Sequence, residues 1–253
     1  MDDIHKWRFN SERTGITWLI LDLLAWTLSF YTCFHLILLT FYAHRSFVIF
    51  GYALVMLLLL LSLIHVSLSD PGCLPPPTTD EIAADPKTLA FDYCQLCKVR
   101  KPLRSHHCRA CKRCFRKLDH HCKFINNCIG EDNQGFFITF LVYCIVASAI
   151  SGAICVCRLY YIDPNQCTNC GYMSKNNWIV YLVTALSGAV WLFTSMLLLN
   201  QTFNLMLNKT TAERIKARRA GKGGHNNYYS SRRNVAAFNQ QYHCSWLDNL
   251  SKK

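Results

Sequence analysis

Residues 94–128 read CQLCKVRKPLRSHHCRACKRCFRKLDHHCKFINNC, and the spacing inside this stretch decides how the whole chain is read. Cys94, Cys97, His107 and Cys114 form the pattern C-x2-C-x9-H-x6-C. Fourteen residues further on the pattern returns as Cys108, Cys111, His121 and Cys128, so that the second copy begins before the first has ended. Three cysteines and one histidine are the closed tetrahedral donor set that structural zinc prefers. Two overlapping copies with identical spacing are not what chance placement of cysteines produces, and two structural zinc ions are expected. One cysteine is left over. Cys122 aligns with Cys108 of the earlier copy, has no further copy to serve, and follows directly on Asp119, His120 and His121.

Outward from this stretch the chain becomes apolar. Of 253 residues, 51% are hydrophobic, which fits either a soluble domain or a small membrane protein; their distribution decides between the two. Residues 16–41, 47–68, 136–157 and 178–207 are each long and apolar enough to cross a bilayer, which takes roughly 20 residues. The second is the cleanest, with His65 its one ionisable residue, whereas the first carries Asp22 and His35 and the fourth ends in Asn200, Gln201 and Asn204. The expected fold class is an α-helical polytopic membrane protein with four transmembrane helices. A small cytosolic zinc-stabilised cysteine-rich domain lies between the second and the third. The expected division is an N-terminal segment 1–15, a first hairpin 16–68, a linker 69–90 and the zinc domain 91–135. A second hairpin 136–207, with a luminal loop 158–177, leads to a basic tail 208–253.

A net charge of +12 beside zinc-type motifs invites a nucleic-acid reading. The placement of the charge opposes it. Of 27 Lys and Arg residues, 11 lie between the second and third apolar stretches and 10 follow the fourth, against 1 and 2 in the other two connections. Both termini and the zinc domain are therefore expected in the cytosol, with the basic tail near anionic lipid, and no recognition-helix pattern supports nucleic acid as a partner. The fifteen cysteines fit a reducing compartment, because six of them are zinc-type ligands. The first apolar stretch is too long for a signal-peptide core and is expected to act as its own insertion signal. Trp7 and Phe9 with Lys6, Arg8 and Arg13 suit a membrane interface. Asp22 is read either as a functional intramembrane acid or as a residue near the interface or bonded to a neighbouring helix. Cys167 and Cys170 are read by default as a loose pair, the alternatives being a third metal site or a luminal disulfide.

The sequence Asp119-His120-His121-Cys122, set within the double zinc pattern, resembles the DHHC cysteine-rich domain of protein S-acyltransferases (palmitoyltransferases). Asp70-Pro71-Gly72, which stops the second span with a turn, matches the DPG motif of that family. Thr210-Thr211-Ala212-Glu213 matches its TTxE motif and also has the spacing of a capping box for a helix running through Arg219. Asn234-Val235-Ala236-Ala237-Phe238 is similar to its C-terminal element, with Asn239 in place of the usual glycine. The resemblance covers residues 70–213 well and the flanks in architecture. One departure stands beside the key cysteine: most members continue with Pro-Trp, and this chain has Lys123-Phe124.

Acyl transfer from a CoA thioester to a protein thiol exchanges one thioester for another, and what it needs is a good nucleophile. A free thiol near pKa ~8.5 is mostly protonated at neutral pH and gains from an adjacent base. With His121 assigned to zinc, His120 is free to serve Cys122 as that base, and Asp119 would orient its ring and stabilise its protonated form. The resemblance implies the same roles: Cys122 takes a long acyl group from acyl-CoA, palmitoyl-CoA foremost, and hands it to cytosolic cysteines of membrane-associated substrate proteins. It also implies an endomembrane setting, Golgi or endoplasmic reticulum ahead of plasma membrane. A rival reading is a catalytically silent membrane adaptor whose zinc domain binds a partner protein, to which Lys123 and the basic tail lend support.

Overall fold

The computed structural model describes residues 12–40, 44–75, 93–161 and 178–219. Cys167 and Cys170, the Asn234–Phe238 element and most of the basic tail lie outside the described residues, as do Trp7 and Phe9. The chain forms two compact units, the first ending at Ala212 and the second beginning at Glu213.

Among the described residues, four long helices run through the first unit: α1 (Arg13–Thr40), α2 (Arg45–Leu68), α3 (Gln134–Tyr161) and α4 (Trp178–Met206). All four are long and apolar enough to cross a membrane. At about 1.5 Å per residue even the shortest, of 24 residues, is longer than the roughly 30 Å hydrocarbon layer. Their outward faces keep large apolar side chains such as Leu24, Phe50, Leu61 and Leu192 exposed, as lipid-facing helices do. Inside, Ser151 of α3 ties three helices together. Its hydroxyl is 3.2 Å from that of Ser29 on α1 and 2.9 Å from that of Tyr52 on α2. A short fifth helix, α5 (Thr211–Arg219), follows α4 over the residues expected from the Thr210–Glu213 motif.

Between α2 and α3 the cysteine-rich stretch folds as three two-stranded antiparallel hairpins: β1–β2 (Tyr93–Cys94, Val99–Arg100), β3–β4 (His106–Cys108, Arg113–Phe115) and β5–β6 (His120–Cys122, Asn127–Ile129). The fourteen-residue period of the sequence is also the period of the backbone. His107 pairs with Cys114 and His121 with Cys128, while Cys94, Cys108 and Cys122 pair with Val99, Arg113 and Asn127. Each turn contains a residue in the left-handed region at the same place: Lys98 at φ 56°, Lys112 at 54° and Asn126 at 50°. Asparagine tolerates this region better than most residues, and lysine at two such positions is a cost the hairpins bear.

The third hairpin therefore exists as a fold, although only two copies of the ligand pattern can be written from the sequence. In it Ile125 stands where the other two turns have Cys97 and Cys111, and it is fully buried. Cys122 thus holds the first-cysteine position of a knuckle whose second-cysteine position is filled by an apolar core residue.

The hairpins are bound to the near ends of the long helices. The Asp70 carboxylate accepts from the backbone N–H groups of Gly72 and Cys73, both at 2.8 Å, which closes the turn after α2. Gly72, at φ 96°, takes a conformation that a side chain would strain. The Pro71 carbonyl presses against Gly130 so closely that a Cβ there would collide with it. Asn127 donates to the Val66 and Ser69 carbonyls at 3.2 and 2.8 Å, satisfying the end of α2 from the third hairpin. Asn133, fully buried, accepts from Gly130 N–H and donates to the Cys128 carbonyl, and so leads the chain into α3. At α1, Gly15 sits against the Asn126 side chain, with no room for a Cβ.

Candidate active site and metal centres

The eight ligand-type residues come together as two separate clusters. Cys94, Cys97, His107 and Cys114 form one, Cys108, Cys111, His121 and Cys128 the other, and within each the donor atoms lie within 4.8 Å of one another. Each cluster is shared between neighbouring hairpins, the knuckle cysteines from one and the His–Cys pair from the next, which is why the copies overlap in sequence. Both imidazoles turn Nδ1 inward. His107 Nδ1 lies 3.2, 3.6 and 3.7 Å from the sulfurs of Cys97, Cys94 and Cys114. His121 Nδ1 lies 3.4 and 3.6 Å from those of Cys111 and Cys128, whose sulfurs are 3.4 Å apart. A tetrahedral zinc with bonds of about 2.0–2.3 Å sets its ligands about 3.5–3.8 Å from each other, so both donor sets fit that ion in chemistry and in size.

Cys122 belongs to neither cluster. It is 7% exposed and packs with Leu59, Leu63 and Val66 of α2, Ile125 and Ile129 of its own hairpin, and Phe137, Phe140 and Leu141 of α3. The same apolar group includes Cys144 and Ala147, deeper along α3. Leu59, Cys144 and Ala147 in turn line a cavity inside the helix bundle, with Trp26, Met56 and Val190 on its other sides. Apolar packing is thus continuous from the thiol into the space between the four helices.

Asp119 is 2% exposed, and its carboxylate is the most heavily bonded group of the site. His120 Nδ1 donates to Oδ2 at 2.7 Å, which leaves the other ring nitrogen for a different partner. Gln201 of α4 donates to the same oxygen at 2.9 Å, and the Thr211 hydroxyl does so at 3.1 Å. The Thr211 backbone N–H donates to Oδ1 at 2.6 Å, and the Ala212 N–H to the Asp119 carbonyl at 3.1 Å. Asp119 therefore serves the first amides of α5 much as a cap residue would, from a distant part of the chain. Burial opposes the charged carboxylate, but the bonds from His120 and Thr211 outweigh it and hold its pKa below the usual carboxylate value. Burial likewise pushes His120 toward neutrality. Its hydrogen bonds to Asp119 and to Cys122 win, and its pKa is raised to about 9. Phe137 closes over the ring edge-on, with centroids 5.5 Å apart.

The residues after the cysteine divide their work. Phe124 packs against Trp18 of α1 and Phe193 of α4, with ring centroids 5.0 and 5.5 Å away, so the aromatic position is filled. Lys123 is exposed.

Four further residues serve the site without a motif to mark them in the sequence. Gln201 and Asn204 read as the polar end of an apolar span, yet they are 2% and 1% exposed. Asn204 donates to the Thr211 hydroxyl at 2.9 Å, and Gln134 donates to Gln201 at 3.2 Å, so the Asp119 carboxylate has a hydrogen-bonded surround of its own. Arg104 grips the turn after α4 through Asn208, donating to its side-chain and backbone oxygens at 3.0 and 2.9 Å. Amide side chains at i and i+3 on the closing turn of an apolar helix were the available signal, since two such groups on one face need a polar partner.

Residues 87–218 match the family model for DHHC palmitoyltransferase. The chain is 30% identical over 169 residues to palmitoyltransferase ZDHHC7 of Mus musculus, an alignment that takes in 63% of this chain and 54% of the relative. It is 28% identical over 221 residues to palmitoyltransferase ZDHHC3 of Homo sapiens, covering 80% and 74%. With palmitoyltransferase PFA4 of Saccharomyces cerevisiae it shares 40% identity over 125 residues, covering 49% and 33%. The chain spans about half the length of the mouse relative.

Proposed function

The chain belongs to the DHHC palmitoyltransferase family, and from that premise we propose that it is a protein S-acyltransferase with Cys122 as its acyl carrier. The Cys122 thiolate attacks the thioester carbonyl of an acyl-CoA, palmitoyl-CoA foremost. The tetrahedral adduct collapses with loss of the CoA thiolate, and the new thioester joins the acyl group to Cys122. A cysteine of a membrane-associated substrate protein then attacks that thioester and leaves with the acyl group, returning Cys122 to its starting state. His120 takes the thiol proton before attack and yields it as the CoA sulfur departs; it then takes the proton of the incoming substrate thiol and returns it to the Cys122 sulfur as the acyl group leaves. Asp119 holds the ring by Nδ1 and balances its charge.

The observation that carries this reading is the third hairpin. It has one knuckle cysteine, has Ile125 at the place of the second, and sets beside the remaining thiol a histidine locked onto a carboxylate. The apolar side chains packed around Cys122 are compatible with a long acyl chain as the group carried. Zinc on Cys94, Cys97, His107 and Cys114, and on Cys108, Cys111, His121 and Cys128, would supply folding energy and leave no open position for substrate. The segment 91–135 is then the catalytic unit, held between the hairpins 16–68 and 136–207. The near ends of all four long helices face it, and the Lys and Arg distribution supports placing it in the cytosol, at an endomembrane such as Golgi or endoplasmic reticulum.

The exposed Lys123, like the basic tail, lends support to the adaptor reading. The two readings part on a covalent bond. Purified, zinc-loaded protein mixed with labelled palmitoyl-CoA is expected to release CoA in a burst and to acquire a hydroxylamine-sensitive label. Neither burst nor label would leave the adaptor.

A further inference from the structure

The residues just before α1 read as an interface anchor in the sequence, but the structure puts one of them against a metal-type ligand. A Glu12 carboxylate oxygen lies 2.8 Å from His121 Nε2, the ring nitrogen that faces away from the cysteines. Both atoms are buried and, among the described residues, have no other partner; the carboxylate approaches obliquely and is the group placed to accept from Nε2–H. The other Glu12 oxygen is fixed by the Thr14 hydroxyl at 2.8 Å, and the Glu12 carbonyl accepts from Ile16 N–H at 3.1 Å. The carboxylate is thus anchored to the first turn of α1. That turn is itself seated on the third hairpin, through Gly15 against Asn126 and Trp18 against Phe124.

We propose that Glu12 is the outer-sphere partner of the second metal site: by engaging His121 Nε2–H it fixes the tautomer and ring orientation that offer Nδ1 to the metal, and so ties the start of α1 to the hairpin that carries Cys122. A ligating histidine needs its second nitrogen held, usually by a carboxylate or a carbonyl, and loss of such a partner typically weakens metal binding about 10- to 100-fold. Glu12 lies 109 positions from His121 in the chain, so no motif could have coupled them. The role is one of positioning. It rests on the two-zinc reading, and its test is independent of acyl transfer.

The test uses the full chain, loaded with zinc and purified, in three variants: Glu12→Ala, Glu12→Gln and Trp18→Ala. A chromogenic chelator times zinc release, and alkylation followed by mass spectrometry reports which cysteines are uncovered. Glu12→Ala is expected to release one of two ions about 10- to 100-fold faster. Alkylation of Cys108, Cys111 and Cys128 should accompany it, while Cys94, Cys97 and Cys114 stay protected. Glu12→Gln, whose amide oxygen can accept from Nε2–H, is expected to stay within a few-fold of wild type and keeps the test open should the alanine variant misfold. Wild-type release in Glu12→Ala, or equal acceleration of both ions, would overturn the proposal. So would Trp18→Ala matching Glu12→Ala, since seating of the helix would then be the cause. A wild-type protein holding fewer than two ions would overturn the metal reading beneath it.

Discussion

Adjacent residues in this site face different tasks, and His120 and His121 show it most plainly. His121 turns Nδ1 to Cys111 and Cys128, whereas His120 turns Nδ1 to Asp119 and interacts with Cys122. Alternation along β5 separates them, because neighbouring strand residues point to opposite faces. Replacing His121 by Ala should cost one zinc and lower the melting temperature, since metal binding is folding energy here. Replacing His120 by Ala should leave both ions and near-normal melting, while acyl capture slows by roughly 100- to 10,000-fold, the usual cost of a positioned base. Zinc analysis beside single-turnover labelling checks both; zinc loss in His120→Ala with retention in His121→Ala would reverse the assignment. Gln201→Leu removes one donor from the buried Asp119 carboxylate. A hydrogen bond to a charged group contributes about 1.5–3 kcal/mol, so capture should slow by about tenfold or more, again with both zinc ions in place.

At the level of elements, the sequence period carried most of the information. The offset of fourteen identifies both ligand sets, and the backbone repeats with it through three hairpins. The third hairpin escaped notice because Ile125 breaks the cysteine pattern while the turn around Asn126 keeps its geometry. The four helices were legible from apolar length alone, with ends shifted by a few residues where Arg13, Gln134 and Tyr161 prolong them past the apolar run. What could not be read was docking, which depends on contacts between residues far apart: Asn127 on the end of α2, Pro71 on Gly130, Asp119 on the start of α5. The Pro71–Gly130 contact predicts its own weak point. Gly130→Ala would drive a methyl into a backbone carbonyl, with the Arg116 carbonyl 3.1 Å away on another side. Destabilisation of about 1–3 kcal/mol is expected, read as a lower melting temperature in detergent. Gly135, with open space around it, is the control and should accept Ala with little change beyond its helix-start preference.

For the whole molecule, a consistent orientation follows from one side carrying everything chemical. The start of α1, the end of α2, the start of α3 and the end of α4 all reach the hairpins or the Asp119 network. The basic connections lie at those same ends, so cleavage by protease in sealed microsomes should spare residues 158–177 and remove a tag at the C-terminus. A protected C-terminal tag would contradict the orientation. One thiol out of fifteen cysteines is proposed to carry the acyl group, because among the described residues Cys122 is the knuckle cysteine that belongs to neither metal-type cluster. Zinc-loaded wild type and Cys122→Ser, each quenched after a single exposure to palmitoyl-CoA and mapped by peptide mass spectrometry, test it most directly. One hydroxylamine-labile acyl group is expected at Cys122 in the wild type, and none in a Cys122→Ser protein that still holds two zinc ions. An acyl group mapped to another cysteine, or undiminished labelling of Cys122→Ser, would contradict it.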